Sequence, residues 1–502
     1  MQKMGKKFTI LIFKEIVLEK SLEILQKYYK HSNFRGKQEE IINRLIVEKK
    51  HCLVLMPTGA GKSVCYQIPA LMFNGGTVVI SPLIALMQDQ VDALKKKNIP
   101  AAFINSTVNS QQKEKRLRDF VEGKIKLLYV TPERFRKKDF VEKIKTANIS
   151  LLAVDEAHCI SEWGHDFRPD YSRIAEFRQL LNNPLTIALT ATATPEVQVD
   201  IISKLGLTKN EIKIFHEGIE RPNLRLEAVD VYDEKETLAQ IYSVLDKYKG
   251  PGIIYFSLIK KLEYYSQIIG DKGYRHGLYH GKLEAQRRKS IQRDFLEGGQ
   301  NLILATNAFG MGIDKADIRF VIHSEVPSSI ESYYQEIGRA GRDGKDSLCM
   351  MLYNQQDLYT QMEFIKWANP DSNYYSRMYD LLKNNLEAVN SMGFEFLREE
   401  MSFKDRSDFR VETVLAMLDR YGVTEGSVEN SSLQLVSELP FELEDEKRLK
   451  EKLMTDNKKL LSVVNYFKSE TCRRVFISDY FGFPGEKPCG NCDVCTMIEN
   501  LN

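Results

Sequence analysis

The chain has 502 residues, 43% of them hydrophobic and 28% charged, with a formal net charge of only +2. That length exceeds one hydrophobic core and predicts roughly three domains. The composition excludes a low-complexity chain, and the balanced charge confines any nucleic-acid footprint to basic clusters at 95–97, 113–118, 134–138 and 287–289, each of which is more often a solvated helix face than a binding patch. At the start, Lys3, Lys6 and Lys7 precede an apolar run of six residues that Lys14 and Glu15 interrupt. The run is too short for a signal-peptide core or a membrane span, so a soluble intracellular protein is expected. Of eight cysteines, Cys52, Cys65, Cys159 and Cys349 are isolated and four gather near the end, which favours metal over disulfides.

The pattern is helical from Leu22, and Arg35 and Gln38 precede a second helix over 39–47. A Gln amide can pair with both N6 and N7 of adenine, although a Gln near a helix start is commonly solvent-facing. A strand at 52–55 leads into Met56-Pro57-Thr58-Gly59-Ala60-Gly61-Lys62-Ser63 and a helix over 64–73. Between strand and helix, Thr58, Gly59, Ala60 and Gly61 form a turn whose N–H groups can face phosphate oxygens. Lys62 then reaches the terminal phosphates and Ser63 ligates Mg²⁺. Met56 stands where the strict G-x-x-x-x-G-K-[ST] pattern has Gly. Strands at 78–81, 126–130, 151–154 and 186–189, with a helix over 83–97, predict a parallel sheet covered on both faces. Asp155 and Glu156 close one strand, where Asp155 suits a Mg²⁺ ligand and Glu156 a water-activating carboxylate. The plainer alternative is an acidic cap on the next segment.

These stretches, with Thr190-Ala191-Thr192, resemble the second helicase superfamily, and Ala157-His158-Cys159-Ile160-Ser161-Glu162-Trp163-Gly164-His165-Asp166-Phe167-Arg168-Pro169 resembles the aromatic-rich loop of RecQ DNA helicases. Trp163, His165 and Phe167, interleaved with Arg168, offer base stacking plus phosphate contact. The resemblance implies that this loop couples DNA contact to hydrolysis, and that Arg35 and Gln38 recognise adenine. Where the family has a stacking Tyr four residues before the Arg, this chain has His31.

Alternation resumes after Arg221-Pro222-Asn223, with strands at 252–256, 302–305 and 319–322 and a helix over 261–269, but without a second phosphate loop. A duplicate sheet lacking its own phosphate site suggests one nucleotide held between two lobes. Gln335-Glu336-Ile337-Gly338-Arg339-Ala340-Gly341-Arg342 supplies two arginines that would share one helix face. The stretch also resembles a motif of the same family, and that resemblance implies Arg342 as the arginine finger with Arg339 supporting or sharing the role. In the resembling stretch from Thr306 to Lys315, Asp314 is expected to link the lobes.

Beyond Tyr359 come helices, one over 412–420 and a long one over 442–467 with a break near Asp456-Asn457, and a short strand at 432–436 that would suit a winged helix. Cys472, Cys489, Cys492 and Cys495 give C-x16-C-x2-C-x2-C, a spacing suited to a closed four-thiolate Zn²⁺ site; an iron–sulfur cluster or free thiols are the alternatives. With Arg473-Arg474 and Tyr480-Phe481-Gly482 the stretch resembles the RecQ zinc module.

The expected architecture is α/β: two RecA-like parallel-sheet motor domains in tandem, 1–210 and 211–360, a helical, winged-helix-like unit over 361–455, and a small zinc-binding domain over 456–502. The resemblance implies an ATP-dependent 3′-to-5′ DNA helicase using ATP, Mg²⁺ and Zn²⁺. It would act as a monomer on single-stranded and branched DNA in repair or recombination, in the cytoplasm on a bacterial nucleoid or in a eukaryotic nucleus. The winged-helix and HRDC modules that many members carry after the zinc module are not expected here. The rivals are an RNA remodeller, a translocase that unwinds little, and a strand-annealing or DNA-binding factor with a regulatory nucleotide site.

Overall fold

A computed structural model describes residues 14–501 apart from 58, 163, 165–166, 218–220, 311–312, 403–407 and 486. Seven strands form the first sheet: β1 (His51–Leu55), β2 (Gly76–Ile80), β3 (Ala101–Ile104), β4 (Leu127–Val130), β5 (Ile149–Val154), β6 (Leu185–Thr190) and β7 (Ile212–His216). They lie in the order β3-β4-β2-β5-β6-β1-β7, and every pairing is parallel. Runs such as Leu151–Val154 are apolar throughout because helices cover both faces, one packed around Leu53, Val78 and Leu152 and the other around Val54, Val79 and Ala153. Edge strand β7 escaped the sequence reading because only Ile212 and Phe215 of it are buried.

The second sheet holds β8 (Leu224–Asp230), β9 (Gly252–Tyr255), β10 (Gly277–Tyr279), β11 (Leu302–Ala305), β12 (Phe320–His323) and β13 (Ser347–Tyr353), ordered β10-β11-β9-β12-β13-β8 and again all parallel. Its core runs on without a break into Leu460, Val463, Tyr466, Ile477 and Phe481 of the C-terminal segment. Tyr353 and Phe467 stack with ring centroids 3.9 Å apart, so the cysteine module shares the second lobe's core.

Between them, residues 371–445 build a core of their own around Tyr375, Leu382, Val414 and Leu418. The helix Ser372–Ser402, kinked at Asn385 and Gly393, and the helix Arg410–Tyr421 are followed by the antiparallel pair β14 (Thr424–Glu425) and β15 (Gln434–Leu435). This stretch carries sixteen Asp and Glu against seven Lys and Arg, a net charge of −9. The expected long helix over 442–467 starts later, as Glu446–Lys468, because Asp445 accepts the N–H groups of Lys447 and Arg448 as its cap. The break expected near Asp456-Asn457 does not occur. Asp456 is held by Lys452, Lys459 and Asn369, and Asn457 donates to the Leu453 carbonyl one turn back. Among the described residues no helix is long and apolar enough to cross a membrane.

The acidic unit is seated on the first lobe through Arg136. That guanidinium makes a two-pronged contact with Asp170, at 2.8 and 2.5 Å, and donates to the carbonyls of Asp419 and Arg420. It thus satisfies the carbonyl end of the helix Arg410–Tyr421, where a cation is also favoured by the helix dipole. Gly422 leaves the helix with φ +72, and a Cβ there would lie 2.7 Å from Arg136 Nη1. Gly422→Ala should therefore lower unfolding free energy by about 1 kcal/mol or more. Urea unfolding checks this, and stability equal to the parent's would mean that the Arg136 seat does not form in solution.

Candidate active site and metal centre

The register of the first sheet brings the chemistry-bearing loops together. Leu55 pairs with Thr190, Val154 with Ala188 and Ile80 with Val154, so the loops after β1, β2, β5 and β6 all open at the carboxyl edge. Met56 does not disturb the phosphate loop. It is buried, and its N–H donates to the Thr190 carbonyl at 3.1 Å, where it extends β1. Gly59 and Gly61 have φ +86 and +83, as the tight turn demands. Lys62 Nζ lies 3.3 Å from the Met56 carbonyl, folded across the loop, and Ser63 stands at the start of the helix Val64–Met72 with its side chain making no capping hydrogen bond. Thr58 lies outside the described residues.

Gln38 takes an unexpected position. Its amide donates to the carbonyls of Ala60 and Gly61, at 3.1 and 3.2 Å, and its Oε1 accepts the Arg35 N–H. Both amide hydrogens are thus spent on the phosphate loop, and the side chain works as its strut. Arg35 and His31 remain exposed beside it. Tyr29, half-buried two residues before His31, donates to Gln67 Oε1 at 2.7 Å and has Lys97 over its ring.

Asp155 and Glu156 sit at the end of β5, Asp155 anchored by its N–H to the Ile80 carbonyl. Glu156 adopts left-handed backbone, φ 47 and ψ 49, a costly conformation for a non-glycine residue and one found at functional sites. Burial raises the Asp155 carboxyl to about 7, the neighbouring Glu156 charge adds to the rise, and Lys62 opposes it. Glu156 Oε2 is buried with no hydrogen-bond partner. A half-buried carboxylate pair, with one buried oxygen that accepts no hydrogen bond, beside a phosphate loop has the chemistry of a divalent-cation and water site.

The sequence reading left His158 and Thr190 without roles. His158 Nδ1 lies 2.9 Å from Thr190 Oγ1 and 3.4 Å from Glu156 Oε2. Thr190 Oγ1 donates to the Thr192 carbonyl, so it accepts from His158, which places the proton on Nδ1. The histidine thereby joins the Glu156 loop to the loop after β6. The signal was its place three residues after Asp155, on the turn Ala157–Ile160.

The two arginines do not share a helix face. The helix Ile330–Ile337 ends before Gly338, and the chain then turns. Arg339 points inward, buried, and its Nη1 donates to the Gly310 carbonyl within the second lobe. Arg342 points to the first lobe: a Cβ on Gly59 would lie 3.1 Å from Arg342 Cδ. Asp314 tethers Arg342 Nη1 at 2.8 Å, and the Ile313 carbonyl accepts from the same nitrogen at 2.9 Å. Burial lowers the Arg342 pKa, the Arg339 charge lowers it further, and Asp314 counters. Such a cation gains from an added anion. Arg221 and Asn223 clasp the turn through the carbonyls of Ala340 and Gly341. Met311 and Gly312 lie outside the described residues.

Of the aromatic-rich loop, Trp163 and His165 lie outside the described residues. Arg168 Nη1 donates to the Pro82 carbonyl at 2.9 Å, which ties the loop to the end of β2. Phe167 is half-buried and faces Tyr421 and Leu443 of the acidic unit.

The four sulfurs of Cys472, Cys489, Cys492 and Cys495 all lie within 4.8 Å of one another. Backbone N–H groups of Cys489, Asn491 and Cys495 point at the sulfurs of Cys472, Cys489 and Cys492, at 3.3, 3.4 and 3.4 Å. Burial pushes the Cys472 thiol up, but N–H donors from Val475, Cys489 and Arg474 outweigh it and bring the thiol down to about 7. Four converging sulfurs with thiolate-stabilising donors fit a tetrahedral zinc site. Arg473 is paired with Asp493, whose Oδ2 also accepts the Ala228 N–H of β8; Arg474 donates to the carbonyls of Arg221, Pro222 and Leu224.

Three family profiles match the chain: DEAD/DEAH box helicase over residues 35–200, helicase conserved C-terminal domain over 234–344, and RecQ zinc-binding over 435–496. An ATP-dependent DNA helicase RecQ of Pasteurella multocida is 34% identical over 484 residues, covering 96% of this chain and 63% of that one. A probable ATP-dependent DNA helicase RecS of Bacillus subtilis is 39% identical over 351 residues, covering 70% of each. Among solved structures, Saccharomyces cerevisiae Dbp5 bound to RNA and ADP BeF3 superposes with a TM-score of 0.54 at 17% identity, covering 68% of this chain and 89% of that one; this likeness is one of fold. The chain spans 59–65% of the length of the RecQ relatives from B. subtilis, P. multocida and Haemophilus influenzae. Two parallel-sheet lobes sharing one phosphate site, a four-cysteine module and these matches together place the chain in the RecQ helicase family.

Proposed function

We propose that the chain is an ATP-dependent DNA helicase that moves 3′-to-5′ on single-stranded DNA and unwinds duplex or branched DNA in repair or recombination. It would do so as a monomer, on a bacterial nucleoid in the cytoplasm or in a eukaryotic nucleus. The observation that carries this reading is Arg342 of the second lobe lying against Gly59 of the first lobe's phosphate loop. Residues 1–210 and 211–360 serve as the two lobes, 361–455 as the helical unit, and 456–502 as the zinc module.

In this reading the loop N–H groups and Lys62 hold the β- and γ-phosphates of ATP. Ser63 and Asp155 would hold Mg²⁺, which when bound neutralises charge on the phosphate oxygens. Glu156 orients the attacking water and takes its proton, and its left-handed backbone fixes the carboxylate at the strand end. His158 keeps that loop in register with Thr190. Arg342 stabilises the charge that develops on the transferred phosphoryl group, while Arg339 keeps the turn in place and touches no substrate. Because Arg342 comes from the other lobe, its contact exists only while the cleft is closed, and so hydrolysis and lobe movement are linked. Arg35 and Gln38 lie on the base side of the site, with Gln38 holding the loop. Trp163, His165, Phe167 and Arg168 carry the DNA signal to Glu156.

A translocase or strand-annealing factor with little unwinding is the second reading, and the acidic charge of residues 371–445 favours it, because a net −9 unit repels duplex phosphates. Comparing ATPase stimulation by single-stranded and forked DNA with strand separation of the fork decides between the two: stimulation without separation selects the second.

Lys62→Ala should abolish hydrolysis, and Arg342→Ala should lower kcat by about 10³-fold or more with little change in KM. Steady-state ATPase assays test both, and a KM effect alone would remove Arg342 from the finger role. Trp163→Ala should leave ATP hydrolysis unresponsive to DNA; retained stimulation would count against the loop as sensor. The purified chain should hold one zinc per molecule by metal analysis, and a chelator should lower its Tm. A metal-free chain with an unchanged melt would dismiss the four-cysteine site.

A further inference from the structure

The long helix Glu446–Lys468 holds the aromatic-rich loop at two described points, and the acidic unit shares a cavity with it. Glu162 forms a two-pronged ion pair with Arg448, at 2.7 and 2.5 Å, with Tyr421 Oη 3.3 Å from the same guanidinium. Lys459 Nζ donates to the Gly164 carbonyl at 2.9 Å. Phe167, half-buried, lines a small cavity together with Tyr421 and Leu443 of the acidic unit. A further anchor, Arg136 on Asp170 and the Asp419 and Arg420 carbonyls, fixes the unit to the lobe two residues beyond Arg168.

A loop whose flanking carboxylate is paired to a neighbouring element, and whose backbone carbonyl is held by a second side chain, cannot move freely. The acidic unit that shares the cavity with Phe167 carries net −9, whereas the rest of the chain carries +11. Phosphates arriving at the loop therefore meet like charge on one side. Both effects oppose DNA, the first by holding the loop and the second by repulsion.

We infer that the helix Glu446–Lys468, through Arg448 and Lys459, restrains the aromatic-rich loop and sets the DNA concentration at which hydrolysis is switched on. Arg448 is the positioning residue through which the restraint acts. DNA engages the loop by displacing the Glu162–Arg448 pair, so the free energy of that pair appears as a higher DNA requirement. This rests on the helicase reading above for its functional consequence, while the restraint itself is a matter of structure.

The test uses the full chain. Arg448→Glu breaks the pair, and the exchange Glu162→Arg with Arg448→Glu rebuilds it with the charges reversed. With single-stranded oligodeoxythymidine as probe, Arg448→Glu should lower the concentration giving half-maximal ATPase by about three- to tenfold, the range of a partly exposed two-pronged pair, and the exchange should return it toward the parent value. An unchanged or higher requirement, or no recovery in the exchange, would overturn the inference; a misfolded variant would lose activity without shifting this midpoint. A second readout needs neither ATP nor DNA. The chain has two tryptophans, so Trp367→Phe leaves Trp163 as the reporter next to Glu162. Acrylamide quenching of Trp163 should rise in Arg448→Glu and fall back in the exchange, and equal quenching would refute the restraint. If the parent chain shows no DNA-stimulated ATPase the helicase reading fails, and quenching alone then decides whether the loop is held.

Discussion

The contact between Arg342 and the phosphate loop is the constraint around which the molecule is arranged. A guanidinium must cross from one lobe to another and stop where a Cβ on Gly59 would come within 3.1 Å of its stem. Flexible side chains do not hold such a position unaided, and the surrounding hydrogen bonds supply the stiffness. Asp314 and the Ile313 carbonyl fix the guanidinium, Arg221 and Asn223 fix the turn it stands on, and Arg474 fixes the carbonyls around Arg221. The zinc module is therefore built into the support of the arginine as well as into the core of the second lobe, and the metal and nucleotide sites are joined by backbone carbonyls.

On the first lobe the same economy appears in a different form. Glu156 is held by its backbone in a sparsely populated conformation, and its neighbour Asp155 is buried at a cost that shows as a raised pKa. Neither feature helps folding. Both are sustained by a sheet whose interior positions are filled with Leu, Val, Ile and Ala, and whose parallel register brings four loops to one edge. Buried apolar strands thus carry the strain of the carboxylates.

Much of this could be read from the sequence because the chemistry is carried by contiguous residues. Met56–Ser63, Asp155-Glu156 and the cysteine spacing each act within a few residues, so their local pattern announces them. What could not be read depends on where a helix stops or on residues far apart. Arg339 and Arg342 keep helical spacing, yet the helix ends at Ile337 and the two guanidinium groups part, one to Gly310 and one to Gly59. Gln38 carries the side chain suited to adenine, but the Ala60 and Gly61 carbonyls claim its amide. Glu162 and Arg448 are separated by 286 positions, and no periodicity links them. Edge strand β7 mixes buried and exposed positions and so lacks the apolar run that marked its neighbours.

The uneven charge has a consequence for how the chain would meet a polyanion. A net of +2 describes a nearly neutral particle, but −9 gathered in residues 371–445 and +11 elsewhere make it an electric dipole. In the field of a nucleic acid such a particle rotates before it touches, and the acidic unit trails away from the strand. Encounters would arrive already oriented, basic surface first, and added salt would erode that orientation within about a Debye length, roughly 8 Å at physiological ionic strength.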